Sequence, residues 1–188
     1  MRYYLDTEFH ENGSTIELIS IGIVAEDGRQ LYCENSDYNW NQASDWLNLN
    51  VKPHLWSQKK REFYKWIRYN GGVGGFLPRN QIAIEVEGFC DIERYGKPEF
   101  WGYYADYDWV VFCWLFGAMV DLPKGFPMFC NDLKQEVDRL GIQLPKMETG
   151  EHHALSDACW NKKMHEDFIL SAEEATCREF RQVQEEVE

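Results

Sequence analysis

Ten consecutive residues, Ile16–Ala25 (IELISIGIVA), constrain this chain most. The run is β-prone and nearly unbroken in apolar character. It therefore reads as a central strand covered on both faces. Residues 2–9 (RYYLDTEF) supply a neighbour, an aromatic-rich strand whose alternation breaks only near its end. Glu26-Asp27-Gly28-Arg29 is turn chemistry, and Leu31-Tyr32-Cys33 follows as a third strand. Three sequential antiparallel strands joined by tight turns are the expected start.

A polar, Trp-rich stretch comes next, then a helix expected from Ser57 to about Tyr69. Phe63, Trp66, Ile67 and Asn70 share one side of it, and Arg61, Lys65 and Arg68 another. Gly71–Gly75 reads as a flexible loop; without a following Lys-Ser/Thr it is no phosphate-binding P-loop. Pro78 can begin a helix that runs to about Ile92. A strand is expected at Glu99–Tyr104, a strongly apolar helix at Asp106–Met119 and a short strand at Met128–Cys130. Helices are expected at Asp132–Leu140, stopped by Gly141, and at Ala154–Leu170. Ser171 and Glu174 form a capping-box pattern that would open a last helix. Strands first, then helices interleaved with strands, indicate an α/β fold: a mixed sheet flanked by helices, its first three strands antiparallel and later ones parallel. Residues 1–170 are expected to form the domain, with 171–188 a helical extension of it.

Charge limits the partners. With 19 Lys and Arg against 32 Asp and Glu, the formal net charge is −13. Gripping a long duplex by phosphate neutralisation needs a basic surface, so a long-footprint nucleic-acid binder is not the expected class. An enzyme that holds only a terminus needs few phosphate contacts, and bound metal ions supply positive charge locally. The six cysteines are widely spaced with no Cys-x-x-Cys pair, which points to buried free thiols in a reducing compartment. No signal peptide is visible at the N-terminus, and no apolar run approaches the ~20 residues that span a bilayer.

Three short elements carry chemistry. Asp6-Thr7-Glu8 lies on the first strand, where residues two apart share a face, so both carboxylates point the same way. Two such charges about 4 Å apart repel by roughly 4 kcal/mol at an effective dielectric near 20. A hard divalent cation such as Mg²⁺ or Mn²⁺ would offset that, while a solvated edge pair is the plainer reading. Asp106 and Asp108 stand where a strand gives way to an apolar helix, positions that suit a metal ligand or a helix cap equally. His152, His153 and Asp157 lead into the Ala154 helix. A histidine there can take a proton from water near neutral pH; two loop histidines beside a capping aspartate is the alternative.

In this order the three elements resemble the DEDDh exonucleases, a superfamily that includes polymerase proofreading domains, oligoribonuclease and ribonuclease T. RYYLDTEF, IELISIGIVAEDGR, WGYYADYDWVVF and HHALSDA are most similar to the mycobacterial exoribonuclease type and its phage-encoded relatives. The resemblance covers roughly residues 1–165. It implies a ribonuclease-H-like fold, with Asp6, Glu8, Asp108 and Asp157 as ligands of two Mg²⁺ or Mn²⁺ ions and His152 as general base. His153 is the alternative to His152, and Asp106 the alternative to Asp108. The expected activity is 3′→5′ hydrolysis of single-stranded RNA or DNA from its 3′ end, RNA favoured, releasing nucleoside 5′-monophosphates; a non-catalytic nucleic-acid or protein-binding module on the same fold is the alternative. A homodimer and a bacterial or phage-infected cytoplasm also follow from the resemblance. For substrate contacts, Arg61, Lys65 and Arg68 are candidates for phosphates, and Phe9 for a terminal base. A solvated helix face and core packing are the respective alternatives.

Overall fold

β1 (Arg2–Glu11) divides its side chains cleanly between two faces of the sheet. Tyr3 and Leu5 enter the main apolar cluster with Ile21, Ile23, Leu31 and Phe100, all fully buried. Tyr4, Asp6 and Glu8 lie on the other face, by the alternation of a strand. β2 (Ile16–Ala25) runs antiparallel to β1, and β3 (Gln30–Asn35) antiparallel to β2. β2 is covered on both faces, as its composition demands: Ile21, Ile23 and Ala25 join the main cluster, while Val24 packs with Tyr32, Ala154, Leu155 and Ala158.

The computed structural model describes residues 1–59, 72–147 and 152–185. Its six-stranded sheet has the order β4-β3-β2-β1-β5-β6. β4 (Val73–Leu77), β5 (Glu99–Gly102) and β6 (Asn131–Asp132) each pair in parallel, with β3, β1 and β5 respectively. Among the described residues the α-helices are α1 (Asp45–Asn50), α2 (Arg79–Cys90), α3 (Ile92–Tyr95), α4 (Asp106–Phe116), α5 (Leu133–Leu140), α6 (Ala154–Met164) and α7 (Leu170–Glu185). α2 and α4 contribute Ile82, Val86 and Phe112 to the main cluster on one side. α6 packs on the opposite face of β1 and β2. Among the described residues, no helix is long and apolar enough to cross a membrane.

Several expectations are corrected. Residues 73–75 of the glycine run belong to edge strand β4, not to a loop. A Cβ on Gly74 (φ 136°) would sit 1.9 Å from the Tyr32 carbonyl oxygen, so the close approach of β4 to β3 requires glycine there. Met128–Cys130 does not pair; Asn131 and Asp132 reach β5 instead, and Met128 and Phe129 are exposed. Ser171 does not open a helix, because α6 continues through a π turn (His165–Ile169) into α7. The preceding turn already supplies acceptors for the backbone N–H groups that a cap would serve. Most of the helix expected from Ser57, with Arg61, Lys65 and Arg68, lies outside the described residues.

Candidate active site

α6 sits low over the sheet because one strand position has no side chain. Gly22 is the β2 partner of Asp6. A Cβ there would lie 2.4 Å from the Ala154 backbone at the start of α6. Helix and strand backbones therefore touch beside Asp6, which carries Asp157, in the first turn of α6, to the same place. An isolated glycine within a strand is a signal for such an approach.

The result is a tight acidic group. Asp6, Glu8 and Asp157 each offer a carboxylate oxygen, and these oxygens lie within 4.8 Å of one another. Glu8 is buried and Asp6 half-buried. Burial, then the charges of Asp108, Asp157 and Glu8, raise the Asp6 carboxyl well above its ordinary range. Burial, then Asp157 and Asp108, push Glu8 up to about 8. Among the described residues no Lys or Arg pairs with Asp6 or Glu8. Asp157 is steadied from behind, where its Oδ2 accepts the backbone N–H of His153 at 3.1 Å.

Asp108 stands beside this group and is held differently. Its Oδ1 accepts both the backbone N–H of Thr7 at 2.7 Å and the Thr7 hydroxyl at 2.6 Å. Burial raises its carboxyl to about 6, against the lowering effect of those two bonds. Its charge is felt by both Asp6 and Glu8. Asp106, the alternative, is exposed and lines a separate cavity with Met128 and Phe129. Thr7, between the two strand carboxylates, is thus a clamp that motif reading overlooks.

The two histidines have distinct settings. His153 is buried, caps α6 by accepting from the Ser156 N–H, and stacks on Tyr32 with ring centroids 4.7 Å apart. His152 has left-handed backbone (φ 64°), uncommon outside glycine, and its ring meets Trp46 edge-on at 4.9 Å. The left-handed turn swings His152 out of the path that buries its neighbour. Phe9 follows a register slip in which Ile19 becomes the extra residue on β2. Bulges often sit beside active sites because they re-aim side chains. Phe9 packs against the main cluster and stacks on exposed Tyr107 at 5.9 Å. Beside the carboxylates opens a cavity of about 460 Å³, lined by Asp6, Asp157, Asn161, Tyr103, Trp160 and Lys146 among others. Asn161, Trp160 and Lys146 lay outside every motif, and Tyr103 lay inside the WGYYADYDWVVF segment with no role assigned to it.

The donor set suits hard cations: clustered carboxylate oxygens, crowded enough to resist ionisation unless positive charge is present. A family model described as the 3′-5′ exoribonuclease Rv2179c-like domain matches residues 1–169. Two curated relatives, the 3′-5′ exoribonucleases Rv2179c and MT2234.1 from two strains of Mycobacterium tuberculosis (H37Rv and CDC 1551 / Oshkosh), are each 36% identical over 159 residues. Each alignment covers 84% of this chain and 87% of the relative. Among solved structures, the nuclease domain of 3′hExo, a DEDDh family member bound to rAMP, aligns at 15% identity with a TM-score of 0.46. That alignment covers 89% of this chain and 92% of the other. With its whole sheet and all its clustered carboxylates inside the matched span, the chain belongs to the 3′-5′ exoribonuclease Rv2179c-like domain family.

Proposed function

We propose that this chain is a two-metal 3′→5′ exoribonuclease that removes nucleoside 5′-monophosphates from the 3′ end of single-stranded RNA. The observation that carries this reading is the meeting of Asp6, Glu8 and Asp157 within 4.8 Å, from positions about 150 residues apart in the chain. Such a cluster raises its own carboxyl pKa values and gains from divalent cations. Asp6, Glu8, Asp108 and Asp157 would hold two Mg²⁺ or Mn²⁺ ions. When bound, these supply Lewis-acid polarisation of the phosphodiester and a lowered pKa for the attacking water.

The chain's own residues do the rest. Four carboxylates against two divalent ions sum to about zero formal charge, so the anionic phosphodiester enters without repulsion from the site. A ring nitrogen of His152 accepts the proton of the attacking water. The water oxygen forms a bond to phosphorus as the bond from phosphorus to the 3′ oxygen breaks; that oxygen takes a proton from solvent to become the 3′ hydroxyl of the shortened RNA, and His152 returns its proton to solvent. Thr7 holds Asp108 against β1 through its two hydrogen bonds. An enzyme of net charge −13 that grips only the end of its substrate needs few cationic contacts. Arg61, Lys65 and Arg68 on phosphates, Phe9 on a terminal base, a helical extension at residues 171–188, a homodimer and a cytoplasmic setting complete the proposal.

Incubation of the protein with 3′-extended, 5′-labelled RNA and Mg²⁺ tests it. Stepwise shortening that stops on chelation is expected. A folded protein that releases no nucleotide under these conditions overturns the reading, and opening of a circular substrate would replace it with an endonuclease.

A further inference from the structure

Asp157, Asn161 and His165 recur every four residues, so they rise along one stripe of α6. All three lie over β1. Asp157 meets Asp6 and Glu8. Asn161 donates from Nδ2 to the Leu5 carbonyl oxygen at 3.0 Å. His165, at the helix end where the π turn begins, shares a hydrogen bond at 2.8 Å between its Nδ1 and the Tyr4 hydroxyl. Helix residues 157, 161 and 165 thus engage strand residues 6 and 8, then 5, then 4, in descending order.

Both lower members are almost fully enclosed, each 2% exposed. Burying an amide and an imidazole costs free energy that leucines at these positions would not incur. The contact with β1 has a property that apolar packing lacks. Apolar packing is non-directional and tolerates sliding, whereas a hydrogen bond fixes a distance and an angle. His165 is also stacked on Trp101 of β5 with centroids 4.1 Å apart, so the helix end is anchored to two strands. Burial and the nearby Arg2 push its pKa down to about 4, which leaves a neutral ring at physiological pH. Asn161 bonds to the residue immediately before Asp6, and it sits one helical turn beyond Asp157.

We infer that Asn161 and His165 are positioning residues whose bonds to Leu5 and Tyr4 set the height of α6 along β1, and so the separation of Asp157 from Asp6 and Glu8 on which cation binding depends. This rests on the proposed role of those three carboxylates as metal ligands. Neither residue is among the proposed ligands. Their contribution lies in pre-setting three oxygens that would otherwise repel one another apart.

Asn35 provides a control away from the carboxylates, one whose Oδ1 also accepts the Asp37 N–H. It is also buried and donates from Nδ2 to a strand carbonyl, that of Leu18, at 2.9 Å, but on β3. Calorimetric titration with Mn²⁺ should give the wild-type protein and Asn35→Ala the same affinity. Asn161→Ala should bind roughly tenfold more weakly, the scale seen when outer-shell support of metal ligands is removed. Its melting temperature should fall no more than that of Asn35→Ala. In the assay, raising Mn²⁺ should restore the kcat of Asn161→Ala with the KM for RNA unchanged. Equal Mn²⁺ affinity in the two asparagine variants overturns the inference. An absence of Mn²⁺ uptake by the wild-type protein overturns the metal reading itself, and the clamp with it. If Asn161→Ala does not fold, Tyr4→Phe keeps the ring and removes only the hydroxyl. Its affinity should fall several-fold, and an unchanged value counts against the inference as heavily.

Discussion

The two faces of β1 differ by one residue of register and by everything in their chemistry. On one face Tyr3 and Leu5 enter a cluster in which Phe100 touches Tyr3, Trp109, Phe112 and Phe126 with ring centroids 4.8–5.7 Å apart. On the other, Asp6 and Glu8 confront Asp157, and among the described residues no Lys or Arg pairs with the strand carboxylates. Each large side chain fully buried on the first face stabilises the fold by about 1.5–3 kcal/mol. Buried carboxyls crowded on the second face oppose folding once they ionise, by lost hydration and then by mutual repulsion, which is why the Asp6 and Glu8 pKa values are raised. The strand can hold that repulsion because its other face is so well packed. Stability and chemistry are thus segregated across a single backbone.

The comparison breaks most sharply at the acidic face. Asp6→Ala and Asp157→Ala should each reduce RNA shortening to background, a loss of roughly 10³-fold or more on the scale of removing essential groups. Neither should unfold the protein, and in chelator Asp6→Ala should melt at or above the wild-type temperature because a crowded carboxyl has gone, whereas Asp157→Ala also gives up the bond from the His153 N–H and should gain less. Loss of the folded state in either variant would contradict the segregation. On the apolar face the expectation reverses. Phe100→Ala should cost about 3–5 kcal/mol of stability by opening a cavity. A variant still folded at low temperature should retain its Mn²⁺ affinity.

Acidity sharpens the same contrast. Within the fold Glu8 keeps its proton up to about pH 8, against an ordinary value of 4.5. Between those values the folded chain holds a proton that the unfolded chain has released. Stability of the metal-free protein must therefore fall as pH rises through that window, by a few kcal/mol in order of magnitude. Asp6, shifted in the same direction, adds to the slope. Below about pH 4.5 the Glu8 contribution is flat. Melting curves in chelator from pH 5 to 8 should show the decline, and saturating Mg²⁺ should abolish it. Glu8→Gln should flatten the chelated profile; a profile as steep as wild type would remove Glu8 as its source.

The sequence made some of this legible for physical reasons that recur. The two-sided burial of β2 follows from an apolar run with no polar face, and the shared side of Asp6 and Glu8 from the period of a strand. β4 escaped notice because Gly74 and Gly75 have little strand propensity, and what they provide is room against β3. Gly22 carried the same message inside a strand already recognised. Thr7 and Asn161 left no trace in a motif, since their roles depend on partners 101 and 156 residues away. Sequence spacing left His152 and His153 as alternatives. The structure separates their settings, burying His153 as a helix cap and swinging His152 into a left-handed turn.

The smallest expected effect concerns that turn. Left-handed backbone costs a non-glycine residue on the order of 1–2 kcal/mol, so something must hold His152 there. Trp46 is 52% exposed, on a six-residue helix whose cap is Ser44, yet its ring meets the imidazole edge-on. An edge-to-face pair contributes about 0.5–1.5 kcal/mol, which corresponds to at most about a tenfold change in rate if all of it serves to orient His152 in its proposed role as base. Trp46→Ala should accordingly lower kcat by up to about tenfold while Mn²⁺ affinity and melting temperature stay near wild type. Trp46→Phe, which keeps a ring for the imidazole to meet, should recover most of the loss. Equal defects in both variants would mean that the indole contacts RNA directly, and KM would then rise in place of the fall in kcat. That outcome would move Trp46 from the support of His152 to the substrate path, leaving the division between the faces of β1 untouched.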